Sequence, residues 1–148
     1  MYKHILVPTD GSKLSAKAIR SAAGLAKACK AKLTGIYVIP RYEPPVYSEG
    51  AMLGMPFSRR AYLQSAEKTA RRALAVVKIE SQTAGVDSST LSVVGDQPWK
   101  AIINAARAKR CDAIVMASHG RSGLAGLVLG SETVKVLTHS RIPVLVCR

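Results

Sequence analysis

The feature that most constrains this chain is the regular alternation of short apolar runs with longer segments of helical periodicity. Five runs have strand character: Lys3 to Thr9, Lys32 to Ile39, Ser89 to Val94, Asp112 to Ala117 and Pro143 to Cys147. Between them lie four helical segments. The first is capped by Ser12 or Ser15 and runs to about Lys30, with Ala18, Ile19, Ala22, Leu25, Ala26 and Cys29 at helical spacing. The second is capped by Ser58 and runs to about Ala84, where Gly85 ends it. The third has Pro98 in its first turn and runs to about Lys109. The last ends near Ser140. Strands that alternate with helices in this way give an α/β fold with a mostly parallel sheet covered by helices on both faces.

Such a sheet binds ligands beyond the carboxyl ends of its strands, where the strand order reverses. The first and fourth strands end in the two most distinctive loops, Pro8-Thr-Asp-Gly-Ser12 and Ala117-Ser-His-Gly120. If these strands are neighbours, both loops frame one crevice. The second loop continues into a glycine-rich joint, with glycines at 120, 123, 126 and 130 and hydroxyls at Ser118, Ser122, Ser131 and Thr133. A strand-to-helix joint of this kind turns several backbone N–H groups toward one point, which favours an anion such as a phosphate. It contains no G-K-[ST], no G-x-S-x-G and no G-x-G-x-x-G spacing. Tight packing of the loop against the sheet is the alternative use for these glycines.

Length and composition fit one domain, residues 1–148, with a single core. The hydrophobic fraction of 48% excludes disorder. No run approaches the roughly 18 apolar residues of a membrane span. The amino-terminal run breaks at Pro8 and lacks the pattern of a signal peptide, so the expected location is cytoplasmic. Cys29, Cys111 and Cys147 form no C-x-x-C and read as reduced structural residues. The net charge of +13 is unusual, with seven bases and no acid between Gly11 and Arg41. This surface is either simply solvated or an attractor of nucleic acid, anionic lipid or polyphosphate. Aromatic residues make up only 5% of the chain, which leaves little for base stacking.

The residues also resemble a known family, the universal stress proteins. Its nucleotide-binding members carry G-x-x-G-(x)9-G-[ST]. Here Gly120, nine residues and Gly130-Ser131 match the second part, while Ala117 replaces the first glycine. Ile5-Leu-Val-Pro-Thr-Asp-Gly-Ser12, Gly95-Asp96 and Ile142-Pro-Val-Leu-Val146 are similar to the family as well. The resemblance implies a five-stranded parallel sheet in the order 3-2-1-4-5, Rossmann-like and similar to the adenine-nucleotide alpha hydrolases. It implies ATP and a homodimer formed through Pro143–Cys147. Asp10 with Ser131 or Thr133 could help hold Mg²⁺ through the phosphates.

Carried over residue by residue, the resemblance places Asp10 on the nucleoside with Pro8 and Thr9 beside it. Val38 stands near adenine, and Met116 and Ala117 line the site. Gly120, Gly130, Ser131 and Thr133 form the phosphate cradle. Each has a plainer use: Asp10 can hold a turn or cap the first helix, Val38 can be core, and Ser131 and Thr133 can be helix-start residues. His119 and Arg121 lie beside the cradle, to contact phosphate or to face solvent. A methyl at Ala117 crowds the backbone approach that glycine permits, and is expected to weaken or reshape binding rather than abolish it. No paired carboxylates, metal cluster or nucleophile triad is evident, so hydrolysis would be slow at most. The expected function is that of an ATP-binding sensor or regulator in stress adaptation, with an unidentified protein partner. The alternatives are a stress-related interaction protein that uses its basic surface on nucleic acid, and a slow ATPase. The long loop from 41 to 57 is a candidate lid or interface segment.

Overall fold

Alternation of side chains along each strand builds a core on either side of one sheet, as seen in a computed structural model that describes residues 1–43, 58–120 and 129–148. The strands are β1 (His4–Pro8), β2 (Lys32–Ile39), β3 (Ser88–Val94), β4 (Ala113–Ala117) and β5 (Val144–Cys147). The helices are α1 (Lys13–Cys29), α2 (Arg59–Ala84), α3 (Pro98–Ala108) and α4 (Ser131–His139). All four strand pairings are parallel, in the order β3-β2-β1-β4-β5. β1 and β4 are therefore neighbours, with Ile5 opposite Ala113 and Leu6 opposite Ile114. Element boundaries fall within a residue or two of those expected from the sequence.

The pleat sends Ile5 and Val7 of β1 to one face and Leu6 to the other. Ile5, Val7, Leu33, Tyr37 and Val115 pack under α1 and α2, against residues such as Ile19, Ala22 and Val77. Leu6, Ile36, Ile114 and Met116 pack under the second pair of helices, against Ile102, Ile103, Ala106 and Val136. Helices thus cover both faces, α1 and α2 on one, α3 and α4 on the other.

Local signals in the chain set the helix ends. Ser12 caps α1 by accepting the Ser15 N–H at 3.1 Å, and Ser58 caps α2 by accepting that of Ala61 at 3.3 Å. Gly85 ends α2 with φ +70°, a conformation that suits a residue without Cβ. Gly35 serves packing instead. A Cβ there would lie 2.7 Å from Val77 Cγ2, so its absence lets α2 seat directly on β2.

β1 is pinned to β4 at its start. The Asp112 carboxylate accepts the N–H of Lys3 at 2.8 Å and that of His4 at 3.0 Å. Burial raises its pKa, and these N–H donors more than offset that, so the net shift is downward from 3.8. On the same turn, burial first and the Asp112 charge second push the Cys111 thiol up to about 11. All three cysteines are free. No helix among the described residues is long and apolar enough to cross a membrane.

Candidate functional site

The carboxyl ends of β1, β2 and β4 open into a cleft of about 420 Å³. Adjacency of β1 and β4 brings the Pro8–Ser12 and Ala117–Gly120 loops to it, as the reversal of strand order requires. Pro8, Thr9, Asp10, Val38, Met116, Ala117, Gly120, Gly130, Ser131 and Thr133 all line its wall. Arg121 lies outside the described residues, as do Ser122, Gly123, Gly126 and residues 44–57 of the long loop.

The β1 loop is built by its own side chains. Asp10 Oδ1 accepts the Ser12 N–H at 3.0 Å, which realises the turn-forming use of this residue. Its other oxygen faces the second loop, because a Cβ on Gly120 would lie 3.0 Å from Asp10 Oδ2. Thr9 and Ser15 hydroxyls meet at 3.0 Å in a buried contact, and Thr9 Oγ1 also accepts the Gly11 N–H at 3.2 Å. The loop is thereby fixed to the first turn of α1.

At the end of β2, Ile36 is opposite Pro8, the last residue of β1, and its carbonyl accepts the Thr9 N–H at 2.9 Å. Backbone direction repeats every two residues along a strand. The N–H and C=O of Val38 therefore point the same way as those of Ile36, beyond the end of β1 and into the cleft. The side chain of Val38 packs half-buried against the core under α3.

The glycine-rich joint forms the opposite wall. Gly130 donates to the Ser118 carbonyl at 2.7 Å, and Ser118 donates to the Cys147 carbonyl at 2.7 Å. A Cβ on Gly130 would lie 3.2 Å from the Ser118 carbonyl oxygen and 3.3 Å from His119 Cα, so only glycine fits without displacement. Gly130 then starts α4. Gly130 brings no side-chain cap to this helix, and the first intrahelical bond is Val134 N–H to Gly130 C=O at 3.0 Å. The N–H groups of Ser131, Glu132 and Thr133 are left as open donors among the described residues, at the positive end of a helix dipole. The other three described helices have a side chain at this end. For α3 it is Glu132, whose Oε2 accepts the Trp99 N–H at 2.8 Å.

Three details depart from simple expectation. The Thr133 hydroxyl is buried and donates to the Ala117 carbonyl at 3.0 Å, so what this residue offers an anion is its backbone N–H. Ala117 has an ordinary negative φ, so alanine there carries no backbone strain. His119 also lines the cleft. Its Nδ1 meets Ser118 Oγ at 3.0 Å, while its Nε2 is buried with no hydrogen-bond partner among the described residues. Sequence reasoning missed the cleft contribution of Ser15, Tyr37, Pro98, Ile102 and Glu132. Their patterns signal only helix starts and core, and their shared location follows from the topology alone.

Over residues 1–148 the chain matches the universal stress protein family. The chain belongs to this family. A universal stress protein of Thermus aquaticus is 34% identical, with all of both chains aligned. Among solved structures, that of a protein of Methanocaldococcus jannaschii is 28% identical with a TM-score of 0.77, covering 99% of this chain and 96% of its own. A universal stress protein solved in complex with cAMP is 26% identical with a TM-score of 0.72, covering 99% of this chain and 97% of its own. The five-stranded parallel sheet is thus the family's Rossmann-like fold, and an adenine nucleotide occupies at least one family member of similar sequence.

Proposed function

We propose that the cleft binds an adenine nucleotide, with ATP as the intended ligand, and that the protein acts as a nucleotide-responsive sensor or regulator in stress adaptation. The observation that carries this is the amino end of α4, which no side chain among the described residues caps. Three N–H donors left open among those residues meet a glycine-walled cleft on a scaffold whose cAMP-bound relative is 26% identical. In this reading Ser131, Glu132 and Thr133 N–H groups hold phosphate, and Gly120 and Gly130 give it room. Asp10 meets the ribose, with Pro8 and Thr9 forming its support. The backbone of Val38 reads the adenine edge, and Met116 and Ala117 form the floor.

The residues fit the group. The missing Cβ atoms at Gly120 and Gly130 leave the approach open, and the Nε2 of His119, unpartnered among the described residues, offers a further polar contact. When bound, ATP supplies a charged lever by which the loop ends around it are drawn together. No group of three His, Cys, Asp or Glu side chains suited to a metal occurs among the described residues. Mg²⁺ would accordingly arrive on the phosphates, with Asp10 as a carboxylate of the cleft wall. Turnover is outside the proposal.

Two features bear on the partner. β5 is an edge strand with Leu145 half-exposed, which suits a homodimer through Pro143–Cys147. Sedimentation of wild type against Leu145→Lys tests it, with loss of the dimer as the expected result and an unchanged mass as the contrary one.

The test of the nucleotide reading is calorimetric titration with ATP, AMP and cAMP, with and without Mg²⁺, alongside thermal melting. A ligand at one hundred times its Kd adds about 2.7 kcal/mol of stability, which raises Tm by roughly 5–10 °C in a chain of this size. Absence of heat and of any shift at millimolar nucleotide, in wild type and in Ala117→Gly alike, overturns the proposal.

A further inference from the structure

The excess of positive charge is concentrated on one side of the molecule. α1 and α2 lie together over the same face of the sheet, joined by the Arg20–Glu80 salt bridge at 3.1 Å. They carry ten lysines and arginines against two glutamates, whereas α3 and α4 on the other face carry three bases and one acid. Among the described residues, Arg20 is the only one of the ten in an ion pair.

The bases are also ordered. Lys13, Lys17, Arg20 and Lys27 fall at intervals of four, three and seven, which stacks them in one stripe along α1. The stripe is exposed, because the opposite face of α1, with Ala18, Ile19, Ala22 and Ala26, is spent on the sheet. On α2, Lys68 and Arg72 point outward one turn apart, and Arg60, Arg71 and Lys78 are exposed along a flank. At 1.5 Å per residue the two helices run for about 25 Å and about 39 Å.

We propose that this face docks on the phosphate backbone of duplex nucleic acid, without reading sequence. The partner follows from what the face has and lacks. It has a long, regularly spaced array of cations, nine of the ten outside any ion pair among the described residues, and four of those nine are arginines whose fork of donors suits phosphate. Apolar side chains that would enter a membrane are nearly absent, since Ile79 is the one large exposed hydrophobic residue on these helices among those described. Rings for stacking unpaired bases are also lacking. Tyr62, the single aromatic residue of α1 and α2, is held by Pro40, whose carbonyl accepts its hydroxyl at 2.8 Å, and by the Tyr42 ring at 5.3 Å. A charged array without stacking platforms matches a duplex rather than a single strand. The inference is independent of the nucleotide cleft, which lies at the ends of the strands.

The experiment compares two variants of the full chain, each four charges below +13. One carries Lys13→Gln, Lys17→Gln, Lys27→Gln and Lys68→Gln. The other carries Lys100→Gln, Arg107→Gln, Lys109→Gln and Arg141→Gln on or beside the opposite helices. Binding to a fluorescent 20-base-pair duplex of mixed sequence is read by anisotropy across a salt series, after circular dichroism shows both variants folded. Wild type binds at 50 mM salt, and its affinity falls steeply as salt rises. The first variant binds at least tenfold more weakly at 100 mM salt, and its log–log salt slope flattens by up to about 3.6, the loss of four phosphate contacts. The second stays within threefold of wild type. No duplex binding by wild type at 50 mM salt overturns the proposal. So does an equal loss in both variants, which marks bulk charge alone. Binding to vesicles of anionic lipid without binding to duplex overturns it in favour of a membrane surface.

Discussion

Thr133→Val separates the two roles that the sequence leaves open for this residue. Valine keeps the shape and the β-branch of threonine, so neither packing volume nor helix propensity changes much. What disappears is the bond from Oγ1 to the Ala117 carbonyl, 3.0 Å long and set in a site that is 3% exposed. An isolated hydrogen bond contributes about 1 kcal/mol, and leaving a buried carbonyl short of a partner brings the cost to about 1–3 kcal/mol. For a chain of about 150 residues, each kcal/mol lowers Tm by roughly 2–4 °C, so the expected fall is about 2–12 °C. Affinity for adenine nucleotide should stay within about threefold, because the backbone N–H that faces the anion is untouched. Thermal melting and calorimetric titration of the same preparation read both quantities. A tenfold loss of nucleotide affinity at unchanged Tm would refute the reasoning, since it would make the hydroxyl a ligand and not a brace between α4 and β4.

Other substitutions test the frame around the cleft. Gly35→Ala forces a methyl to within 2.7 Å of Val77 Cγ2 and 3.1 Å of its Cβ, and overpacking of this kind costs about 1–3 kcal/mol. Val77→Ala should relieve part of that cost, so a double-mutant cycle showing strict additivity would exclude the clash. Asp112→Asn weakens the clasp on Lys3 and His4 by about 1–2 kcal/mol at neutral pH. Because the folded pKa of Asp112 is lowered, its contribution is present above 3.8 and fades as pH falls through the folded value; a stability gap that widens as pH falls below 3.8 would contradict this. Cys111 is buried and its thiol is pushed up to about 11, so at pH 8 it should react with a thiol reagent far more slowly than Cys29 and Cys147, which are partly exposed. Equal rates at all three sites in the folded protein would count against the packing around Cys111.

Most of the fold can be read from local patterns because its elements are locally consistent. Ser12 and Ser58 stand where caps are needed, Gly85 where a left-handed residue ends α2, and Pro98 where a helix tolerates it. Each acts within a few residues of itself, so no tertiary contact has to be known. The strand order is another matter. Nothing local says that β4 inserts beside β1, and the order follows only from the resemblance carried by Gly120, Gly130-Ser131 and the flanking segments. The cleft inherits that difference. Loop residues such as Asp10, Gly120 and Gly130 announce themselves through their chemistry, while Tyr37, Pro98 and Ile102 reach the cleft from elements whose local pattern speaks only of core or helix start.

The same distinction explains why residue types at the joint mislead in opposite directions. Thr133 has the chemistry of a phosphate ligand, and its first-turn position suits that role. Its hydroxyl nevertheless satisfies a backbone carbonyl at the end of β4, because a buried acceptor 3.0 Å away outcompetes an open cleft. Glu132 has the wrong charge for an anion site, yet it lines the cleft. Its carboxylate is engaged, one oxygen on the Trp99 N–H at 2.8 Å and the other on the Lys135 ammonium at 3.0 Å. Those two bonds neutralise the carboxylate locally and cap α3, and they leave the dipole and the N–H groups of α4 facing the cleft. The capacity of the joint to hold an anion therefore lies in its backbone. That is why its glycines mark the site more faithfully than its polar side chains, and why the methyl of Ala117, on unstrained backbone, is expected to reshape binding rather than abolish it.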